Sequence, residues 1–134
     1  MAHKFRVRIY YEATDAGGVV YHANYLSLFA QARTEWAREH DWHIGDLVKQ
    51  GMLMPIRHID IDYLKPCFLD DVLIIHSEIE SVKRCSARFF QTAVRECEPE
   101  QTVCEVRTRI ACVDKNLKPC PWPQGLWTDM LKGD

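Results

Sequence analysis

Residues 4–9 alternate, with Phe5, Val7 and Ile9 on one side and Lys4, Arg6 and Arg8 on the other. A period of two with one polar side predicts a half-exposed strand. The alternation then stops, and Gly17-Gly18 predicts a tight loop. From about His22 to His40 the period is helical: Tyr25, Phe29, Ala32 and Trp36 share a face that Leu26, Leu28 and Ala37 widen. No Pro or Gly interrupts it. At 1.5 Å per residue such a helix reaches on the order of 28 Å, enough to cross a sheet. The breadth of its apolar stripe predicts that a sheet wraps it.

A short helical piece over Ile44 to Gln50 meets Gly51, a suitable C-terminal cap. Four alternating runs follow. Ile59, Ile61 and Tyr63 share a face in the first, which Lys65-Pro66 closes. The others span Val72 to Glu80, Ala87 to Arg95 and Val103 to Val113, with a turn near Lys83-Arg84. In the last, Cys104, Val106, Thr108, Ile110 and Cys112 oppose Glu105, Arg107 and Arg109. The proline-containing tail closes on a helical turn over Leu126 to Leu131, with Trp122 and Trp127 packing it against the domain. One strand, one long helix and four successive strands predict an α+β domain with a mainly antiparallel sheet, not βαβ units.

The length, 134 residues of which 47% are hydrophobic, fits one domain over 1–134 with a single core. Formal net charge is −2 and no block of like charges stands out, so neither a nucleic-acid tail nor a membrane-binding arm is expected. No run reaches the length of a membrane span and the first residues lack a secretory pattern, which predicts a cytoplasmic protein. The six cysteines contain no C-x-x-C pair and read as reduced, structural thiols. His40 and His43 have no third ligand at a recognisable spacing, so no metal is expected.

Reactive and special residues concentrate between the first strand and the long helix, from Tyr11 to Tyr25. A helix start offers unpaired N–H groups and the positive end of the macrodipole. Such donors bind anions or stabilise a developing oxyanion. Gly17 and Gly18 permit a sharp turn and close approach of a ligand to the backbone. Asp15 precedes them as a possible base or nucleophile, and His22 stands at the helix start. On local physics alone a turn aspartate and a surface histidine explain the same residues.

The string Thr14-Asp15-Ala16-Gly17-Gly18-Val19-Val20-Tyr21-His22, followed by Tyr25 and Ala32-Arg33, resembles the signature of the 4-hydroxybenzoyl-CoA thioesterase-like hot-dog proteins. It is particularly similar to the YbgC-type acyl-CoA thioesterases associated with the Tol–Pal system. The likeness continues through Tyr63 to Pro66, Asp70-Asp71 and the basic turn before Ser86. It implies a hot-dog fold, a five-stranded antiparallel sheet around one central helix. It also implies hydrolysis of acyl-CoA thioesters, with no cofactor beyond the coenzyme A of the substrate.

Carried over by position, the resemblance makes Asp15 the catalytic carboxylate and gives the His22 amide the task of polarising the thioester carbonyl. The YbgC-type subgroup shares the histidine, whereas the 4-hydroxybenzoyl-CoA branch has a tyrosine there. Residue 13 is Ala where some relatives carry an acid. Gly17, Gly18, Val20, Tyr21 and Tyr25 are expected around the substrate, and Lys83, Arg84 and Ser86 at the nucleotide phosphates. Arg33 with Glu35 reads as an interface pair or as ordinary polar-face charge, and Arg107 and Arg109 receive no role. The resemblance implies a homodimer with joined sheets, or a homotetramer, and active sites between subunits. Acyl carrier protein is a possible partner in place of coenzyme A. A non-catalytic scaffold that binds acyl thioesters or acyl carrier protein is the competing reading. A hot-dog dehydratase is a third, but it places its acid–base residues elsewhere.

Overall fold

The computed structural model describes residues 3–132; the first two and last two positions of the expected domain lie outside the described residues. Strand β1 (His3–Arg8) leads through a loop to helix α1 (Asn24–Glu39) and the short α2 (Ile44–Lys49). Strands β2 (Ile56–Tyr63), β3 (Val72–Lys83), β4 (Ser86–Arg95) and β5 (Glu98–Ala111) follow, and α3 (Leu126–Met130) closes the chain. The sheet runs in the order β1-β3-β4-β5-β2 and every neighbouring pair is antiparallel. α1 packs its apolar face into the sheet, as expected of a hot dog.

The predicted stripe is the buried one: Tyr25, Leu28, Phe29, Ala32, Trp36 and Ala37 all lie in the core. From the sheet they meet Leu73, Ile75, Ala93, Cys104 and Val106 near the start of the helix, and Phe89 and Ile110 near its end. The inward residues of β5 are those its alternation predicted. Trp122 and Trp127 pack with Phe89, Leu126 and Met130, which seats the tail on the far part of the core. All six cysteines are free thiols, and burial pushes Cys104 up to about 12.

Three details differ from the sequence expectation. α1 begins at Asn24, because residues 21–23 form a separate turn in which Asn24 N–H donates to Tyr21 C=O at 2.9 Å. β5 starts five residues before Val103, since a tight turn pairs Glu98 with Arg95. Glu35 pairs with Arg38 at 3.3 Å, while Arg33 turns inward and donates to Gln91 at 3.0 Å. Gln91 is fully buried, and its amide also donates to Phe29 C=O at 3.0 Å and Ser77 Oγ at 2.9 Å.

The sheet has two distinct ends. One carries the start of β3, the end of β4 and Tyr63 of β2, with Leu73 opposite Arg95 and Tyr63 opposite Cys104. The other carries the β3–β4 turn and Ile56, with Lys83 opposite Ser86 and Ile56 opposite Ile110. β2 is an edge strand, and Ile56 and Tyr63 at its two ends are each 45% exposed. No described helix is long and apolar enough to cross a membrane.

Candidate active site

The loop before α1 is a small hairpin. Thr14 bridges Val20, Asp15 N–H donates to Val19 C=O at 2.9 Å, and Gly18 N–H returns to Asp15 C=O at 3.0 Å. Val20 N–H donates to Cys67 C=O at 2.8 Å and Val19 bridges Phe68, so the hairpin is pinned to the segment after β2. Gly18 sits at φ +82, in the left-handed region that favours glycine. A Cβ at Gly17 would meet Asp15 Oδ1 at 3.2 Å, and the Gly17 N–H donates to that same oxygen at 2.8 Å. Both glycines therefore serve the placement of Asp15. One carboxylate oxygen is held by the backbone, and the exposed side chain leaves the other open to water.

The second half of the loop is held by one carbonyl. Ala13 C=O accepts from Tyr21 N–H at 2.9 Å and from Asn24 Nδ2 at 2.8 Å. His22 follows, two residues before the helix proper, with its ring against Tyr21 at 4.4 Å and Tyr63 at 6.2 Å. Tyr63 Oη donates to His22 C=O at 2.9 Å, which fixes the peptide whose N–H belongs to Ala23. Among the described residues, the N–H groups of His22 and Ala23 donate to no protein acceptor. Two free donors at the positive end of α1 make an anion-stabilising corner.

Beside this corner lies an open cleft of about 250 Å³, lined by Val20, His22, Tyr25, Tyr63, Leu64 and Lys65. Burial, then Cys67, pushes the Tyr25 phenol far above its ordinary range, and burial raises Tyr63 as well. The cleft lining is largely apolar and aromatic, with Lys65 at its edge. Of the expected substrate residues, Val20, His22 and Tyr25 meet in this cleft. Gly17 and Gly18 shape the hairpin beside it, and Tyr21 is an exposed flank of the His22 ring. Tyr63 and Lys65, which the sequence reading placed at the end of a strand and within the family likeness but not at the site, complete the lining.

Lys83, Arg84 and Ser86 lie at the other end of the sheet. The 12 residues of β3 separate them from the hairpin by roughly 36 Å along the strand. Lys83 and Ser86 line a depression of about 170 Å³ together with Arg88 and Arg109. Arg88 and Arg109 stand directly opposite one another on β4 and β5. Like charges so placed repel, and no carboxylate pairs with them among the described residues. Arg84 contributes its carbonyl, which accepts from Trp122 N–H at 3.3 Å. No group of three potential metal ligands is found among the described residues.

A family model described as thioesterase-like superfamily matches residues 9–129. The acyl-CoA thioester hydrolase YbgC of Escherichia coli is 38% identical over 125 residues, spanning 92% of this chain and 91% of that protein. The acyl-CoA thioesterase YbgC of Haemophilus influenzae is 38% identical over 122 residues, spanning 90% and 88%. In fold, a 1,4-dihydroxy-2-naphthoyl-CoA thioesterase from Synechocystis superposes with a TM-score of 0.91 at 20% identity, covering 98% of this chain and 97% of that one.

Proposed function

The chain belongs to the thioesterase-like superfamily and is a thioester hydrolase, and from that premise we propose that it cleaves acyl-CoA at the corner between Asp15 and His22. The observation that carries this reading is the pair of unpartnered N–H groups at His22 and Ala23, which follow directly on the hairpin that holds the exposed Asp15 carboxylate. A thioester carbonyl oxygen accepts from this corner, and the donors strengthen as negative charge grows on it. Asp15 then acts through its free oxygen in one of two ways. Direct attack forms a mixed anhydride and expels the thiolate, and water opens the anhydride to release the acid and restore the carboxylate. Alternatively, Asp15 takes a proton from water as that water attacks. In both routes the leaving thiolate needs little help, its conjugate acid having a pKa of about 8.5 by analogy with cysteine. The His22 side chain, between Tyr21 and Tyr63, orients the attacking group or holds its water.

The basic cluster at Lys83, Arg88 and Arg109 suits the phosphates of coenzyme A, since an anion there relieves the opposed arginines. It is too distant to serve the same substrate as Asp15 of its own chain. Antiparallel pairing of two β2 edges about a two-fold axis removes this difficulty. Each copy's Tyr63 end then meets the other's Ile56 end, so the basic turn of one subunit approaches the hairpin of the other. Open sheet edges favour such pairing.

Thiol release from a panel of acyl-CoAs tests the proposal. Asp15→Asn, with an unchanged circular dichroism spectrum and melting temperature, is expected to lose at least a hundredfold in kcat. Wild-type turnover in that folded variant would remove Asp15 from the mechanism.

A further inference from the structure

A second cavity opens between the later turns of α1 and the tail, sharing no lining residue with the His22 cleft. Its volume is about 190 Å³, and an apolar cavity of roughly 150 Å³ is enough to hold benzene. Ala37, Met54, Phe89, Ile110, Trp122 and Trp127 supply apolar and aromatic walls.

One cation belongs to this lining. Arg33 donates to Gln91 Oε1 at 3.0 Å, and its guanidinium carbon lies 5.8 Å from the centre of the Phe89 ring. A guanidinium carries five N–H donors, and this is its one hydrogen bond among the described residues. No carboxylate lies within ion-pair distance of it there; Glu35, two residues on, is taken by Arg38. Burial lowers the Arg33 pKa to about 10, which leaves it charged at neutral pH. The indole N–H of Trp127, on the same wall, is buried and has no acceptor among the described residues.

Arg33 is half-buried, and a partly desolvated charge without a counter-charge is unfavourable, as is a buried donor without an acceptor. An inorganic anion would answer the charge and leave the aromatic walls uncovered. A hydrocarbon would cover the walls and leave the guanidinium unpaired. We propose that this cavity is a binding site for a small organic carboxylate, its apolar body among the aromatic walls and its oxygens on the Arg33 guanidinium. Within one chain the site shares no lining residue with the hydrolytic corner, and it does not depend on the reading given to that corner.

Trp122 and Trp127 make the cavity report on its own occupancy. Intrinsic fluorescence of the wild-type protein is titrated with hexanoate and, in parallel, with 1-hexanol, which has the same carbon count and no charge. A saturable change is expected for hexanoate, half-complete at a concentration at least tenfold below that for hexanol. Arg33→Met is expected to abolish that preference. Should Arg33→Met not fold, Ala30→Leu fills the cavity from α1 with Arg33 intact, and is expected to abolish the response to both ligands. Equal responses to hexanoate and hexanol in the wild type, or no saturable response, overturn the proposal. A fluorescence change that follows protein concentration and ignores hexanoate also overturns it, assigning the cavity to a second copy of the chain.

Discussion

At the scale of single residues, the hairpin puts rigidity around Asp15 and leaves its second carboxylate oxygen exposed. Gly17 and Gly18 were legible as a turn, but their joint service to one carboxylate was not, because it depends on an N–H and a Cβ direction that only the folded backbone defines. Asp15 and His22 stood out through resemblance, since a turn aspartate and a lone histidine are common. Tyr63 was hidden for a different reason. It ends an alternating run far along the chain, and only sheet closure brings its hydroxyl to His22 C=O at 2.9 Å. Tyr63→Phe removes that single bond and keeps the ring. One such bond is worth about 1 kcal/mol, so kcat should fall roughly fivefold, and stability by no more than about 1 kcal/mol. Equal kcat values for the two proteins would mean that the orientation of this peptide is irrelevant to turnover.

At the scale of elements, periodicity located every strand and the long helix, because each buries one face and exposes the other. It failed where pairing overrides pattern. Glu98-Pro99-Glu100-Gln101 reads as loop, yet it is strand, held by the turn that sets Glu98 against Arg95. Pro99 is tolerated because the β2 partner extends only to Cys104, leaving that stretch of β5 an edge on one side. Periodicity was equally silent on the polar link between helix and sheet. Gln91 joins Phe29 C=O, Ser77 and Arg33, so Gln91→Leu strands two buried groups and the half-buried Arg33 at once. A loss of about 2–3 kcal/mol in urea unfolding is expected, and a loss below the error of the fit would show that the link is not needed. On β3, burial and then Lys4 hold the His76 imidazole below its ordinary value. As pH falls through roughly 6.5, the unfolded chain takes up this proton first, so acidification destabilises the fold. Replacing His76 with Gln should flatten the fall in stability between about pH 7 and pH 5; an unchanged slope would assign it to other groups.

At the scale of the whole molecule, the sheet separates the hairpin from the basic turn, which the proposed mechanism asks one substrate to span. The sequence suggested both the hairpin and the basic turn, but distance along a strand appears only once pairing and direction are known. If the turn holds the phosphates, Lys83→Ala combined with Arg88→Ala raises KM, leaves kcat close to wild type and weakens the dependence of KM on salt. A matching fall in kcat with KM unchanged would place the turn in the chemistry instead. If hairpin and turn meet only between copies, as proposed, Asp15→Asn and the weakly binding turn variant carry complementary damage. A mixed dimer of Asp15→Asn with the turn variant concentrates both lesions in one site and leaves the other intact. Random mixing puts about half the molecules in that state, each with one working site, so co-refolding at substrate levels too low for the turn variant should restore roughly a quarter of wild-type activity. The geometry of a strand edge thus becomes a question that complementation between two alleles can answer.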